Sequence, residues 1–219
     1  MLPAWLGLKA EPQPVSDNGK TTMTLKAFIE QFDKENAIVL LEGKRMVLDT
    51  DTDLLIQLGK TLATKTKHIT FRSGNADGSD HYFSLGVSSV DKSRLQVITP
   101  YTGHRQKTNQ AYETFALDEV NMANEPEVVF QSKSNKRMEK LVDQYVAGAR
   151  DRFSIKAAYI LRDTIKVIGT YEIKPATFGI FYDDLSNPKI GGTGHTMNVC
   201  DRNKVPIIDQ TTWFKWLEG

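Results

Sequence analysis

Two glycine-rich segments gather the groups best suited to hold an anion. The first runs Arg72-Ser73-Gly74-Asn75-Ala76-Asp77-Gly78-Ser79-Asp80. Gly74 and Gly78 can take positive φ and let a ligand approach the backbone, while Ser73 and Asn75 offer side-chain donors. Asp77 and Asp80 can accept from a ribose hydroxyl, and the same spacing also describes a tight turn with Asp80 capping the next helix. The second segment is Gly191-Gly192-Thr193-Gly194-His195-Thr196, three glycines in four residues followed by imidazole and hydroxyl donors. His195 is suited to hydrogen-bond a phosphate or to exchange a proton near neutral pH, and equally to cap its own helix. Gly43-Lys44-Arg45 adds two cations after an earlier apolar run.

The elements that must position these groups follow from the hydrophobic pattern. AIVLLEG, starting at Ala37, is a continuous apolar run of strand length ending at a glycine, as in a parallel strand buried on both faces. HITF, RLQVITPY, TFGIFYDD and VPIIDQ predict further strands, separated by helical patterns such as LLIQLGKTLATK and HYFSLGVSSV. Strands alternating with helices predict an α/β chain: a Rossmann-like three-layer fold with a mostly parallel sheet. Both glycine-rich segments then fall after a strand and before a helix, where backbone N–H groups and a partial positive charge favour phosphate. Neither is a standard fingerprint. GxxxxGK[ST] is absent, and GxGxxG does not follow the first strand, so Walker-type ATPase and conventional NAD-binding readings lose their support.

Around this core the chain divides unevenly. Residues 1–36 predict an extended arm, rich in Pro and Gly and carrying Trp5, then a short helix, LKAFIEQF, capped by Thr24. Residues 37–219 form the Rossmann-like domain, and from 102 to about 136 the apolar periodicity lapses, which predicts an insertion. KRMEKLVDQYVAGA and FSIKAAYILRDTIKVIG restore helical spacing, as two helices or one broken helix. The tail TTWFKWLEG predicts a closing helix whose Trp213, Phe214 and Trp216 dock on the core or serve a subunit contact.

Composition bounds the function classes. The 219 residues carry 28 Lys plus Arg against 27 Asp plus Glu, a net charge of +1 that offers no broad basic surface to a polyanion. Any phosphate site must be local. A single cysteine, Cys200, excludes an internal disulfide framework and falls on the apolar side of its helix. His68, His81, His104 and His195 are scattered without ligand spacing, so no metal and no resident cofactor is expected. Asp49, Asp51 and Asp53 precede a helix and complement its dipole. The opening residues lack the basic start and apolar core of a secretory signal, and no apolar run approaches the ~20 residues that span a bilayer. The chain reads as cytoplasmic, with no membrane partner.

In this order the motifs resemble the SLOG superfamily of Rossmann-like domains, which includes the DNA-processing protein DprA and the cytokinin-activating LOG enzymes, also described as lysine decarboxylase-like. AIVLLEGKR, HITFRSGNADGSDHYFSLGV and LQVITPY resemble its start, with Ser73, Gly74, Ala76, Gly78 and Asp80 in the order of the DprA pattern SG.A.G.D. TFGIFYDD and GGTGHTMNVCDRNKVPIID are similar to its last strand, glycine-rich loop, helix and strand. The resemblance implies a nucleotide or nucleic-acid phosphate site built from both glycine-rich segments and Gly43, Lys44 and Arg45. It also makes Arg162, in ILRDTIKVIG, a candidate phosphate or base contact, though an amphipathic helix with a solvated arginine reads the same way. Set against the LOG pattern PGGxGTxxE, His195 stands where threonine is expected and Asn198 where the catalytic glutamate is expected. An amide cannot act as a carboxylate base, so LOG chemistry requires another acid such as Asp77 or Asp183. The expected role is a module that binds or senses a nucleotide-derived ligand. Single-stranded DNA binding through a basic run with Lys133, Lys136, Arg137, Lys140, Arg150 and Arg152, and hydrolysis of nucleoside monophosphates, are the alternatives. Relatives commonly dimerise, which makes the arm and tail candidate contacts for a homodimer.

Overall fold

A strand with no polar face has to be covered on both sides, and Ile38–Gly43 meets that requirement as β1 at the middle of a six-stranded sheet. The computed structural model describes residues 23–134 and 136–218, so the arm expected over residues 1–22, with Trp5, lies outside the described residues. The sheet order is β4-β3-β2-β1-β5-β6. Its other strands are β2 (Thr70–Ser73), β3 (Leu95–Thr99), β4 (Glu113–Ala116), β5 (Phe178–Tyr182) and β6 (Ile207–Ile208). Every pairing is parallel, so the mostly parallel sheet is parallel throughout.

The period-2 alternation of β1 sends its side chains to two different layers. Val39 and Leu41 join Leu55, Leu58, Leu62, Phe83, Phe178 and Trp213 in one core, beneath α1 (Leu25–Phe32), α2 (Thr52–Lys65) and α3 (Ser79–Asp91). Leu40 packs on the opposite face with Val167, Phe181, Met197 and Cys200. That face is covered by α6 (Ile155–Ile168) and α7 (Gly191–Arg202), with α4 (Pro126–Ser132) and α5 (Glu139–Val146) packed beside α6. The result is a three-layer α/β arrangement. Glu42 shares the phase of Leu40 and is thereby delivered under α6.

Four sequence expectations resolve differently or more sharply. The polar stretch from 102 to about 136 contributes edge strand β4 and helix α4, anchored by Leu117, Met122 and Val128. β4 escaped the periodicity because Glu113 and Thr114 are exposed at the sheet edge. α5 and α6 are two helices. Residues 191–194 form the first turn of α7 instead of a loop ahead of it. The tail docks on its own core as α8 (Gln210–Trp213): the Trp213 indole donates to Phe181 O at 2.8 Å and that of Trp216 to Met23 O at 2.8 Å. Among the described residues no helix is long and apolar enough to cross a membrane.

α2 and α3 press together backbone to backbone. A Cβ added at Gly86 would strike the Ile56 carbonyl, and one at Gly59 the Phe83 carbonyl. Gly86→Ala gains about 1 kcal/mol of intrinsic helix preference but forces the helices apart, at a cost of about 1–3 kcal/mol or more. Urea unfolding of Gly86→Ala should show a net loss of stability. A midpoint at or above wild type would mean the helices are not in close contact.

Candidate functional site

The order in which strands are added across the sheet reverses between β1 and β5, since β2, β3 and β4 lie to one side of β1 while β5 and β6 lie to the other. The carboxyl ends of strands at such a switch point open a crevice that loops cannot fill. Here a cleft of about 400 Å³ opens between the turn after β1, the start of α3, the outer turns of α6 and the N-terminus of α7.

Its floor is a buried charge network. Lys166 Nζ lies 2.7 Å from Glu42 Oε2 and 2.8 Å from Asp163 Oδ1, and Arg162 reaches the same Asp163 oxygen at 3.0 Å. All four side chains are almost wholly buried. Burial opposes the charge on each, but the mutual pairing holds Asp163 below the ordinary carboxylate value and Lys166 and Arg162 above theirs. Glu42 fares differently. Burial, opposed by Lys166 and reinforced by the negative charges of Asp80 and Asp163, pushes its carboxyl up to about 7. Among the described residues, neither its Oε1 nor Arg162 Nε has a protein partner.

The same network shapes the loop after β2. Arg162 donates to Gly74 O at 2.5 Å, and a Cβ at Gly74 would run into that guanidinium. Asp80, in the first turn of α3, accepts from Gly74 N at 3.0 Å, Ala76 N at 3.3 Å and Gly43 N at 3.3 Å, tying the β1 and β2 loops together. Gly78 supplies the φ of +78° that turns the chain into α3. Asn75 donates to the carbonyls of His104 and Arg105, Ser73 Oγ accepts from Asn75 N, and Asp77 pairs with Arg105 at 2.6 Å. Much of this segment's hydrogen-bonding capacity is therefore used internally, with Ala76 and Asp80 reaching the cleft wall.

Across the cleft, α7 begins without a side-chain cap and without an acidic residue in its first turn. Gly191, Gly192 and Thr193 line the cleft with N–H groups that the helix cannot pair. Gly194 is fixed for a different reason, since its face abuts the Lys189 carbonyl. Lys44 and Arg45 line the opposite rim, with Lys44 Nζ 5.4 Å from the centre of the Tyr182 ring.

The structure thus brings Gly43, Lys44, Arg45, Asp80, Arg162, Gly191, Gly192, Thr193 and Thr196 to one cleft. Arg72 lies below it on β2, wholly buried, donating to Gln96 Oε1 at 2.5 Å and Lys166 O at 2.8 Å. Burial lowers its guanidinium to about 10. His195 turns inward between α6 and α7, with Nε2 2.9 Å from Thr164 Oγ1, and burial lowers its pKa. Asn198 is exposed on the far side of α7, and Asp183 accepts from Lys189 N at 2.8 Å. Cys200 is buried, and burial pushes its thiol above the ordinary value. The floor residues Glu42, Asp163 and Lys166 and the wall residue Tyr159 were not singled out by spacing. One signal was present: Glu42 is the only charge in the apolar run of β1.

No protein-family profile and no curated protein matches the chain. One solved structure is similar. It is DNA processing protein A from Helicobacter pylori, described for its single-stranded DNA binding mode, with 13% identity and a TM-score of 0.47 over 82% of this chain and 67% of that one. Among the described residues no cluster of His, Cys, Asp and Glu could hold a metal ion.

Glu42 makes stability depend on pH. Its folded pKa of about 7 exceeds the unfolded 4.5, so its contribution is fully present below pH 4.5 and is lost as pH rises through about 7. The span corresponds to about 3 kcal/mol. His195, and His104, which burial and nearby arginines lower to about 4, titrate in the opposite sense, so wild type alone would blur the effect. The stability of wild type relative to Glu42→Gln, from urea unfolding across that range, should decline with rising pH. A flat difference would mean that Glu42 titrates alike in the folded and unfolded chain, and a difference that rises with pH would mean that it stays ionised when folded; either would contradict the raised value.

Proposed function

We propose that this cleft binds the phosphate of a nucleotide or nucleotide-derived small molecule, and that the chain works as a binding or sensing module. The observation that carries the reading is the uncapped N-terminus of α7 facing the Lys44-Arg45 turn across a cleft at the switch point. Charge counting supports it. The lining holds four cations, Lys44, Arg45, Arg162 and Lys166, against three carboxylates, Glu42, Asp80 and Asp163. That excess of one becomes two when Glu42 takes up a proton, which is the state an arriving anion favours. The resemblance to the SLOG superfamily agrees with this placement. With Asn198 facing solvent on α7, binding is preferred over LOG-type hydrolysis.

Single-stranded DNA is the second reading, favoured by Lys136 and Arg137 beside the cleft, which form no ion pair among the described residues. Other members of the basic run are engaged locally: Lys133 pairs with Asp143, and the Arg150 guanidinium lies 3.9 Å over the Tyr145 ring. DNA binding of this kind weakens steeply with salt.

A thermal-shift and calorimetric panel of mononucleotides, cyclic nucleotides and ADP-ribose derivatives tests the proposal. A ligand at about 100 times its Kd should stabilise the chain by about 2.7 kcal/mol. Gly192→Asp should abolish that gain, because its carboxylate repels the anion; its Cβ would stand 3.1 Å from Asp163 Oδ2, so the variant's own unfolding midpoint is measured alongside. No binding by any member, or shifts unchanged in Gly192→Asp, would rule the site out.

A further inference from the structure

The phosphate cleft does not end at α7. Its outer wall, made by Tyr159, Ile160, Gly191 and Gly192, also bounds a second and larger open chamber of about 730 Å³. The far side of that chamber is the segment between α4 and α5, which contributes Lys136, Arg137 and Met138, and the first turn of α6, which contributes Lys156. Its lining holds three cations and no carboxylate. None of the three forms an ion pair among the described residues.

The contrast between the two compartments is chemical. In the first, cations and carboxylates nearly balance around a buried floor, so an anion is held by backbone N–H groups and a small local excess. In the second, uncompensated cations stand beside apolar surface from Met138 and Ile160 and the ring of Tyr159. A molecule with a single phosphate can satisfy the first alone. Ligand sites for drug-sized molecules run from about 300 to 1,000 Å³, and the first compartment lies near the small end of that range. The two joined through a shared wall exceed what a mononucleotide fills.

Resting on the phosphate-binding reading above, we propose that the ligand is a two-armed nucleotide. One phosphate lies at the start of α7, and a second phosphate, as in a dinucleotide or a nucleoside diphosphate carrying a sugar, lies toward Lys136, Arg137 and Lys156. The shared Gly191-Gly192 wall carries no side chain and leaves room for the connecting group. A short ligand is favoured over a long strand because it needs only the cations of these two adjoining compartments. The net charge of +1 offers no continuing basic track.

Titration calorimetry on the full chain with AMP, ADP-ribose and a thymidine oligonucleotide separates the possibilities. ADP-ribose should bind at least about tenfold more tightly than AMP, one charge-assisted contact being worth that much. The exposed double variant Lys136→Glu/Arg137→Glu should erase that advantage and leave AMP affinity within about twofold, since neither side chain lines the first cleft and solvent screens exposed charges. Lys156→Glu, on a different element, should act in the same direction. Equal affinity for AMP and ADP-ribose, or an equal loss for both in the variants, would overturn the two-armed ligand while leaving the phosphate site standing. Failure of both nucleotides to bind would overturn the site and the second arm together. An oligonucleotide that binds more tightly than ADP-ribose and weakens steeply with salt would replace this proposal with the DNA reading.

Discussion

Five charged side chains buried together at one end of a parallel sheet govern the shape of everything around them. Isolated, each would cost several kcal/mol to desolvate. Lys166 spans Glu42 and Asp163, Arg162 joins Asp163 to the Gly74 carbonyl, and Asp80 ties three backbone N–H groups from two loops. The pairs lock α6 to β1 and to the loop after β2. Removing one partner leaves another buried charge exposed to a low dielectric, so the network holds its geometry as a unit.

That rigidity has a chemical consequence. Among the described residues, Glu42 Oε1 and Arg162 Nε lack protein partners at the edge of a solvent-reaching cleft. An incomplete buried network is costly, and on the proposed reading the bound anion is what completes its charge balance. Under that proposal the near-neutral chain needs no basic surface to favour an anion locally. Positive potential comes from Lys44, Arg45 and the first turn of α7, and the proton on Glu42 adjusts it.

Much of the frame was legible in the sequence, because buried parallel strands are continuous apolar runs and each of the five runs became a strand. β4 was not legible: at the edge, half its residues face water and carry no periodicity. Residues 191–194 looked like a loop because glycine is a poor helix former. In the structure they open α7, with Gly191 at a φ of +63°, and close approach by the Lys189 carbonyl excludes a side chain at Gly194. Spacing predicted where the two glycine-rich segments lie but not which way side chains turn. Arg72 sits on a strand position that points beneath α6, and the phase of α7 takes His195 into the helix interface. Glu42, Asp163 and Lys166 come together across more than a hundred residues of chain, a contact that no local pattern encodes. The lone carboxylate in an apolar strand was the one visible trace.

In the proposed complex a buried, proton-holding Glu42 and an anion share one cleft. The most direct measurement is the proton balance of binding: titrate ADP-ribose into the protein just above pH 7 in two buffers of different ionisation enthalpy, with wild type and Glu42→Gln. The account predicts net proton uptake by wild type and none by Glu42→Gln. Binding with no proton exchange in wild type, or equal uptake in both proteins, would contradict it.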